Sequence, residues 1–271
     1  MRLAARAAYP SAIMASFRSG DLTLAFDDIR PAHSGTRAVV LVHGFATNRE
    51  ENWRRLGWYG AFERKGYRTI ALDLRGHGES GKPHDPGAYG RAEMAGDIIA
   101  LMDHLALPRV DLMGYSMGSH LSAAVALAQP ERIANLILGG VGARMLAAAA
   151  APAGSMTLPE AMRAEDPATI ADATLRGFRQ FAENQGEDRL ALAACGEGRG
   201  APMTADDLGR LAMPTLIVAG SLDEIAGDPR ALADAIAGAR AVSLPACDHF
   251  SAIPHALFKA AVFDFLEGWE E

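Results

Sequence analysis

Short apolar runs recur along this chain, each bounded by polar or glycine-rich segments. Residues 38–42 (AVVLV), 68–72 (RTIAL), 110–113 (VDLM), 133–138 (IANLIL) and 215–219 (TLIVA) carry the pattern of strands buried on both faces. Residues 21–28 (DLTLAFDD) alternate apolar and polar, as a half-buried strand does, and 240–244 reads as a further strand. Between them the period becomes helical. It does so over 50–65, ending at Gly66, and over 91–105, where Met94, Ile98, Leu101, Met102 and Leu105 share a face. Further helices are expected over 117–129 (stopped by Pro130), near 229–237 and over 254–267. Strand–helix alternation with short connections predicts an α/β protein with a parallel, doubly wound sheet. Residues 1–20 lie outside the alternation and are expected to be flexible.

The alternation lapses over 143–208. That interval holds no good strand, but has an Ala-rich apolar stretch from Met145 to Ala153 and two capping boxes, Thr157 with Glu160 and Thr204 with Asp207. Asp166-Pro167 reads as a helix start, followed by a stripe of Ile170, Thr174, Leu175, Phe178 and Phe181, and 187–195 as a further short helix. In doubly wound folds ligands bind at the carboxyl ends of strands. The interval is therefore expected to be a helical cap over that edge, with 1–142 and 209–271 forming the core.

Composition narrows the function classes. Of 271 residues, 49% are hydrophobic and 22% charged, an ordinary globular balance. Lys and Arg number 26 against 33 Asp and Glu, a net charge of -7, with no basic block to serve nucleic acid. No uncharged apolar stretch is long enough to predict a membrane span. Cys195 and Cys247 are too few for a disulfide framework or a thiolate zinc site, which points to a reducing, cytoplasmic setting. The first 20 residues carry Arg2, Arg6 and Arg18 and no acid, but Pro10 and Ser11 interrupt the apolar run that a targeting signal needs. Met14 is an alternative start.

Two motifs fail their structural requirements. Gly76-His77-Gly78-Glu79-Ser80-Gly81-Lys82-Pro83 satisfies G-x-G-x-x-G and nearly satisfies a phosphate loop. Both need a helix beginning at the last glycines, and Pro83 and Pro86 make that improbable. No His pair has the H-E-x-x-H spacing of a metal site, and His104 and His120 read as packing or surface residues on helices.

Gly114-Tyr115-Ser116-Met117-Gly118 fits its context. It follows an apolar strand and opens a helix, the setting of a nucleophile elbow. A serine hydroxyl is a weak nucleophile at neutral pH and needs a base, which in turn needs an orienting carboxylate. In elbow proteins these follow the serine in the order Asp or Glu, then His, just past later strands. Asp223 follows 215–219 and His249 follows 240–244. Glu224 and Asp228 lie farther from their strand, His255 is expected inside the last helix, and Asp248 adjoins His249 and should point elsewhere. Two backbone N–H groups should receive an oxyanion. Met117 supplies one and Phe45 the other, with Gly44 letting the chain turn and His43 bonding the loop.

At this point the chain resembles the α/β-hydrolase superfamily. The likeness runs from about residue 20 onward. It rests on HGF at 43–45, DLRGHGES at 73–80, GYSMG at 114–118, GSLD at 220–223 and DHF at 248–250. It implies a mostly parallel eight-stranded sheet, a helical cap after the sixth strand, and structural roles for Asp73, Arg75 and Ser80. Many relatives carry Gly just after the elbow, where this chain has Ser119. Ser116 argues against the branches with an Asp nucleophile. What remains is a cofactor-free serine hydrolase acting on a small-molecule carboxylic ester through an acyl-enzyme. Thioester, lactone or carbon–carbon cleavage, perhydrolysis, and a non-catalytic receptor on the same fold are the alternatives. Met145, Leu146, Met156 and Met162 are expected to make an apolar, pliable substrate lining, although methionines also serve simply to pack a cap onto a core.

Overall fold

The computed structural model describes residues 13–31, 37–146, 154–198, 200 and 202–268. Eight strands form one sheet: β1 (Ile13–Ser19), β2 (Leu22–Ile29), β3 (Ala38–Val42), β4 (Arg68–Leu72), β5 (Val110–Tyr115), β6 (Ile133–Gly139), β7 (Thr215–Gly220) and β8 (Arg240–Leu244). Their order across the sheet is β1-β2-β4-β3-β5-β6-β7-β8. β1 and β2 pair antiparallel, β2 meets β4 antiparallel, and β3 to β8 are parallel.

The apolar runs need two dry faces, because successive side chains of a strand point opposite ways. In β3, Val40 and Val42 join a cluster with Ile98, Leu101, Leu121 and Val125, while Val39 and Leu41 join Trp58, Phe62, Phe258 and Val262. The first face is covered by α2 (Arg91–His104) and α3 (Met117–Ala128), the second by α1 (Trp58–Arg64) and α9 (Ala256–Glu267). The helices between β6 and β7 are α4 (Leu158–Arg163), α5 (Ala173–Asn184), α6 (Arg189–Gly198) and α7 (Ala205–Gly209), and α8 (Pro229–Ala233) follows β7. Both capping boxes form, at Thr157–Glu160 and Thr204–Asp207.

Four expectations need correction. Residues 13–19 do not lie outside the sheet. They form β1, paired with β2 from Ile13↔Asp28 to Ser19↔Leu22. The Gly20-Asp21 turn, with Gly20 at φ 55°, closes this hairpin, and buried Phe17 anchors it against Phe26 and His104. Residues 1–12 lie outside the described residues. The helix expected over 50–65 is two pieces, a π-helical turn at Glu50–Arg54 and α1, with Gly57 between them at φ 77°. On an unbroken helix Trp53 and Trp58 would point roughly 140° apart. The break lets both indoles bury and meet edge to face at 6.0 Å. Asp166-Pro167 starts only a 3-10 turn, Pro167–Thr169, and α5 begins afresh at Ala173 under a cap from Asp172. The helix near 229–237 ends at Ala233. The Ala-rich stretch from 147 to 153 lies outside the described residues.

The glycine-rich loop after β4 wraps a carboxylate of its own chain rather than a phosphate. Asp73 accepts from the N–H groups of Arg49 and Glu79, both 2.8 Å, and pairs with the Arg49 guanidinium, which also meets Asp27 at 3.2 Å. A Cβ on Gly78, at φ 52°, would fall 2.2 Å from the Asp73 carboxylate. Ser80 donates to the Asp73 carbonyl (2.6 Å) and accepts from Ala25 N–H (2.9 Å), and Arg75 holds Asp97 through two bonds of 2.6 Å. No α-helix follows the loop until α2.

Breaking this buried pair leaves Arg49 short of its most enclosed partner. Asp73→Ala is expected to cost on the order of 3 kcal/mol, read from urea unfolding. A loss below 1 kcal/mol would show that water or Glu79 replaces the carboxylate.

Candidate active site

β5 ends in Tyr115, and the chain reverses at once into α3. Ser116 takes φ 53° and ψ −116°, a conformation a side-chain-bearing residue adopts only under constraint. The constraint is contact with neighbouring backbone. A Cβ on Gly114 would lie 2.3 Å from the Gly118 carbonyl oxygen, and one on Gly118 would lie 2.1 Å from that of Val42. Ser116 N–H is held by the Gly139 carbonyl at 2.8 Å. Ser119, just after the elbow, donates its hydroxyl to the same carbonyl at 2.7 Å, pinning the first turn of α3 to the end of β6.

The loops after β7 and β8 are stitched together beside this turn. Leu222 N–H donates to the Cys247 carbonyl (2.9 Å) and Ala246 N–H to the Ser221 hydroxyl (2.9 Å). His249 Nδ1 lies 2.8 Å from Asp223 Oδ2, and its Nε2 lies 3.0 Å from Ser116 Oγ. Asp223 Oδ1 accepts from the N–H groups of Ile225 (3.1 Å) and Ala226 (2.9 Å), so the carboxylate cannot swing away without losing them. The Tyr115 hydroxyl donates to the His249 carbonyl at 2.6 Å and fixes the loop from below. An ionised carboxylate only accepts. Nδ1 therefore carries the proton, and the Nε2 lone pair faces the serine hydroxyl. Asp223 and His249 are both buried.

The rival residues are engaged elsewhere. Asp228 caps α8 through Arg230 N–H, and Glu224 is exposed. His255 is not inside the last helix; it stands at the N-cap of α9 and accepts from Leu257 N–H. Asp248 accepts from Phe250 and Ser251, and the Ser251 bonds lower its carboxyl below the usual range.

Phe45 follows β3 and Met117 opens α3, where the first amides of a helix lack acceptors within it. A Cβ on Gly44 would sit 3.5 Å from that of Ser116, so this loop runs against the elbow. His43 shapes it. Its Nε2 accepts from Leu74 N–H (3.0 Å) and its Nδ1 donates to the Gly44 carbonyl (2.7 Å), a neutral imidazole. Complete burial, with a smaller contribution from Arg49, pushes its pKa down to about 4.

Two cavities meet at Ser116. The larger, about 340 Å³, is walled by Met117, Met145, Leu158 and Arg144 among others. The smaller, about 220 Å³, is walled by His249, Phe250, Phe181 and Leu56. Phe45 and Phe178 border both. Among the described residues no group of three His, Cys, Asp or Glu is placed to hold a metal ion. No described helix is long and apolar enough to cross a membrane.

A family model described as the alpha/beta hydrolase fold matches residues 37–193, more than half of the chain. The chain belongs to this family. It is 34% identical over 204 residues to the dihydrolipoyllysine-residue acetyltransferase component of the acetoin cleaving system of Pseudomonas putida, covering 70% of this chain and 53% of that protein. It spans about half or less of the length of the curated relatives it matches. A hydrolase from Pseudomonas aeruginosa superposes with a TM-score of 0.76 at 26% identity, over 95% of this chain and 99% of the other. The enol-lactonase from Burkholderia xenovorans superposes with a TM-score of 0.75 at 25% identity, over 93% and 100%.

Of Met145, Leu146, Met156 and Met162, Met145 alone borders either of the two cavities at Ser116. Leu146 is half-buried and packs on the core. Met162 is enclosed within the core cluster on the inner side of α4, and Met156, ahead of the Thr157 cap, is 37% exposed. The smaller cavity is largely aromatic, with Phe45, Tyr115, Phe178, Phe181 and Phe250 in its wall, whereas Met94, Met117 and Met145 stand in the wall of the larger. Phe178 and Phe181 were visible as a helical stripe, whereas Phe250 carried no periodic signal. Cys195 is buried with its sulfur 3.8 Å from that of Met117, and Cys247 is buried beside the His249 loop.

Since the folded chain resists protonating His43, the unfolded chain takes up that proton first, near pH 6.5. Stability from this residue is complete above pH 6.5 and is lost as the pH falls through 4. The loss is on the order of 3 kcal/mol. Urea unfolding between pH 7.5 and 4 checks it. His43→Gln, which keeps an acceptor for Leu74 N–H, should show a flatter profile than the wild type.

Proposed function

We propose that the chain is a serine hydrolase that cleaves a carboxylic ester, or a related acyl compound, through an acyl-enzyme. The observation that carries this reading is the unbroken series from Ser116 Oγ through His249 to Asp223, with contacts of 3.0 and 2.8 Å. Ser116 Oγ attacks the acyl carbon while His249 Nε2 takes the hydroxyl proton. Asp223 keeps Nδ1 protonated and stabilises the imidazolium. The N–H groups of Met117 and Phe45 receive the oxyanion, each worth about 3–4 kcal/mol of barrier. His249 then hands its proton to the leaving group, which departs. It next takes a proton from water, whose oxygen attacks the acyl carbon; the bond from that carbon to Ser116 Oγ then breaks, Oγ takes the proton back from His249, and the acid is freed. The helices α4 to α7 act as a cap that limits access of bulk solvent to the acyl carbon. An enol-lactone is itself an ester, so the likeness to the enol-lactonase of Burkholderia xenovorans favours the same reaction class.

The purified chain is expected to hydrolyse p-nitrophenyl butyrate and to be labelled at Ser116 by a fluorophosphonate. Ser116→Ala should lower kcat by roughly 10³-fold or more with thermal melting nearly unchanged. Asp223→Asn should lower kcat by roughly 10³–10⁴-fold by leaving the wrong tautomer in place. Full activity in Ser116→Ala would refute the mechanism, and an unlabelled Ser116 in the wild type would favour a binding protein.

A further inference from the structure

We infer that the larger cavity is the acyl site and that Arg144 selects acyl groups ending in a carboxylate. This rests on the serine-hydrolase reading and narrows it to a substrate class.

The placement of the histidine divides the substrate. His249 must protonate the leaving group, so the leaving group lies on the side where His249 forms the wall. That is the smaller cavity, lined by His249, Phe250 and Phe181. The larger cavity has no His249 in its wall and contains Met117, on the oxyanion side. The acyl chain extends into it.

The charge of that cavity is one-sided. Its wall includes Arg91, which interacts with Asp207, and Arg144, and no Asp or Glu among the described residues. Arg144 stands in the 3-10 turn Ala143–Met145 just beyond β6. Its backbone is held by Arg144 N–H to the Ala226 carbonyl (3.1 Å), and the preceding Ala143 N–H bonds the Asp228 carbonyl (2.9 Å). Its stem rests over Gly227, where a Cβ would lie 3.4 Å from Arg144 Cγ. Its guanidinium makes no hydrogen bond or ion pair with any described residue. The described residues hold every side-chain carboxylate of the chain except those of Glu270 and Glu271. The undescribed stretch that follows Arg144, residues 147–153, consists of alanines and one proline. By contrast, Arg49, Arg75 and Arg179 are each neutralised by a carboxylate. A planar five-donor cation with no counter-ion among the described residues, in the wall of a cavity also lined by Met145, Leu158 and Phe178, suits one kind of acyl group. That group has an apolar body and a terminal carboxylate, which the guanidinium grips through two parallel bonds. A half-ester of a dicarboxylic acid has this shape, as does a lactone that opens to a dicarboxylate.

The test compares kcat/KM for mono-p-nitrophenyl glutarate with that for p-nitrophenyl valerate. The wild type should prefer the anionic ester by roughly 10-fold or more, and raising the salt should shrink the preference because Arg144 is exposed. Arg144→Ala should abolish the preference, and Arg144→Glu should invert it. Equal rates on the two esters in the wild type, or an unchanged ratio in Arg144→Ala, would overturn the inference. Fluorophosphonate labelling run in parallel separates the two readings. Labelled Ser116 with an unmoved ratio removes the acyl-site assignment alone, whereas an unlabelled wild type removes the hydrolase reading. A calorimetric titration then decides the anion site without turnover. Monomethyl glutarate binding Ser116→Ala more tightly than dimethyl glutarate, with the difference lost in Ser116→Ala/Arg144→Glu, supports the site. Equal binding of the two overturns it.

Discussion

Where β5 turns into α3, three backbone segments come closer than any side chain allows. Gly114 faces the Gly118 carbonyl, and Gly118 faces the carbonyl of Val42. That crowding holds Ser116 at positive φ and lifts its hydroxyl above the sheet edge. It also sets the distance between α3 and the loop after β3, and so the spacing of the Met117 and Phe45 amides. The site depends on this close approach more than on any single side-chain contact. A shift of α3 by the width of one methyl group would move the hydroxyl, one amide and the cavity wall together.

Two histidines show how surroundings assign work to one side chain. His43 is sealed between the Gly44 carbonyl and Leu74 N–H, and burial holds it neutral. It acts as a rigid spacer between two loops. His249 has a carboxylate on one nitrogen and a hydroxyl on the other, with the smaller cavity at its edge. A ring in that position can take a proton and return it. A similar contrast separates the arginines. Arg49 is locked between Asp27 and Asp73 as part of the frame, whereas Arg144 has a cavity in front of it and no counter-ion among the described residues.

The helical interval between β6 and β7 bears on the site through a few contacts. Phe178 of α5 meets Phe45 and Phe250, and Cys195 of α6 rests on Met117. Glu187, between those helices, accepts from Gly78 N–H and Asn48, which ties the interval to the loops of the sheet. Its burial pushes the carboxyl pKa upward. The aromatic residues thus separate the two cavities at the point where an acyl carbon would lie.

Much of this architecture was legible in the chain because it is local. A run such as AVVLV has one low-energy use, a strand dry on both faces, and G-x-S-x-G after such a run has few uses besides a tight turn into a helix. The order of Ser116, Asp223 and His249 against the strand ends points to the same three side chains that the fold brings within hydrogen-bond distance. The lining was not legible. Met156 and Met162 are as apolar as Met145, yet one faces solvent and the other the core. Which way a helix turns its face depends on how it packs, and packing is decided by every neighbour at once. The break at Gly57, the strand at 13–19 and an Arg144 guanidinium with no partner among the described residues share that origin. Local pattern determined the elements and their chemistry. Only the tertiary structure decided which groups find partners and which are left facing a cavity, because partnership is a property of distance in space rather than of order along the chain.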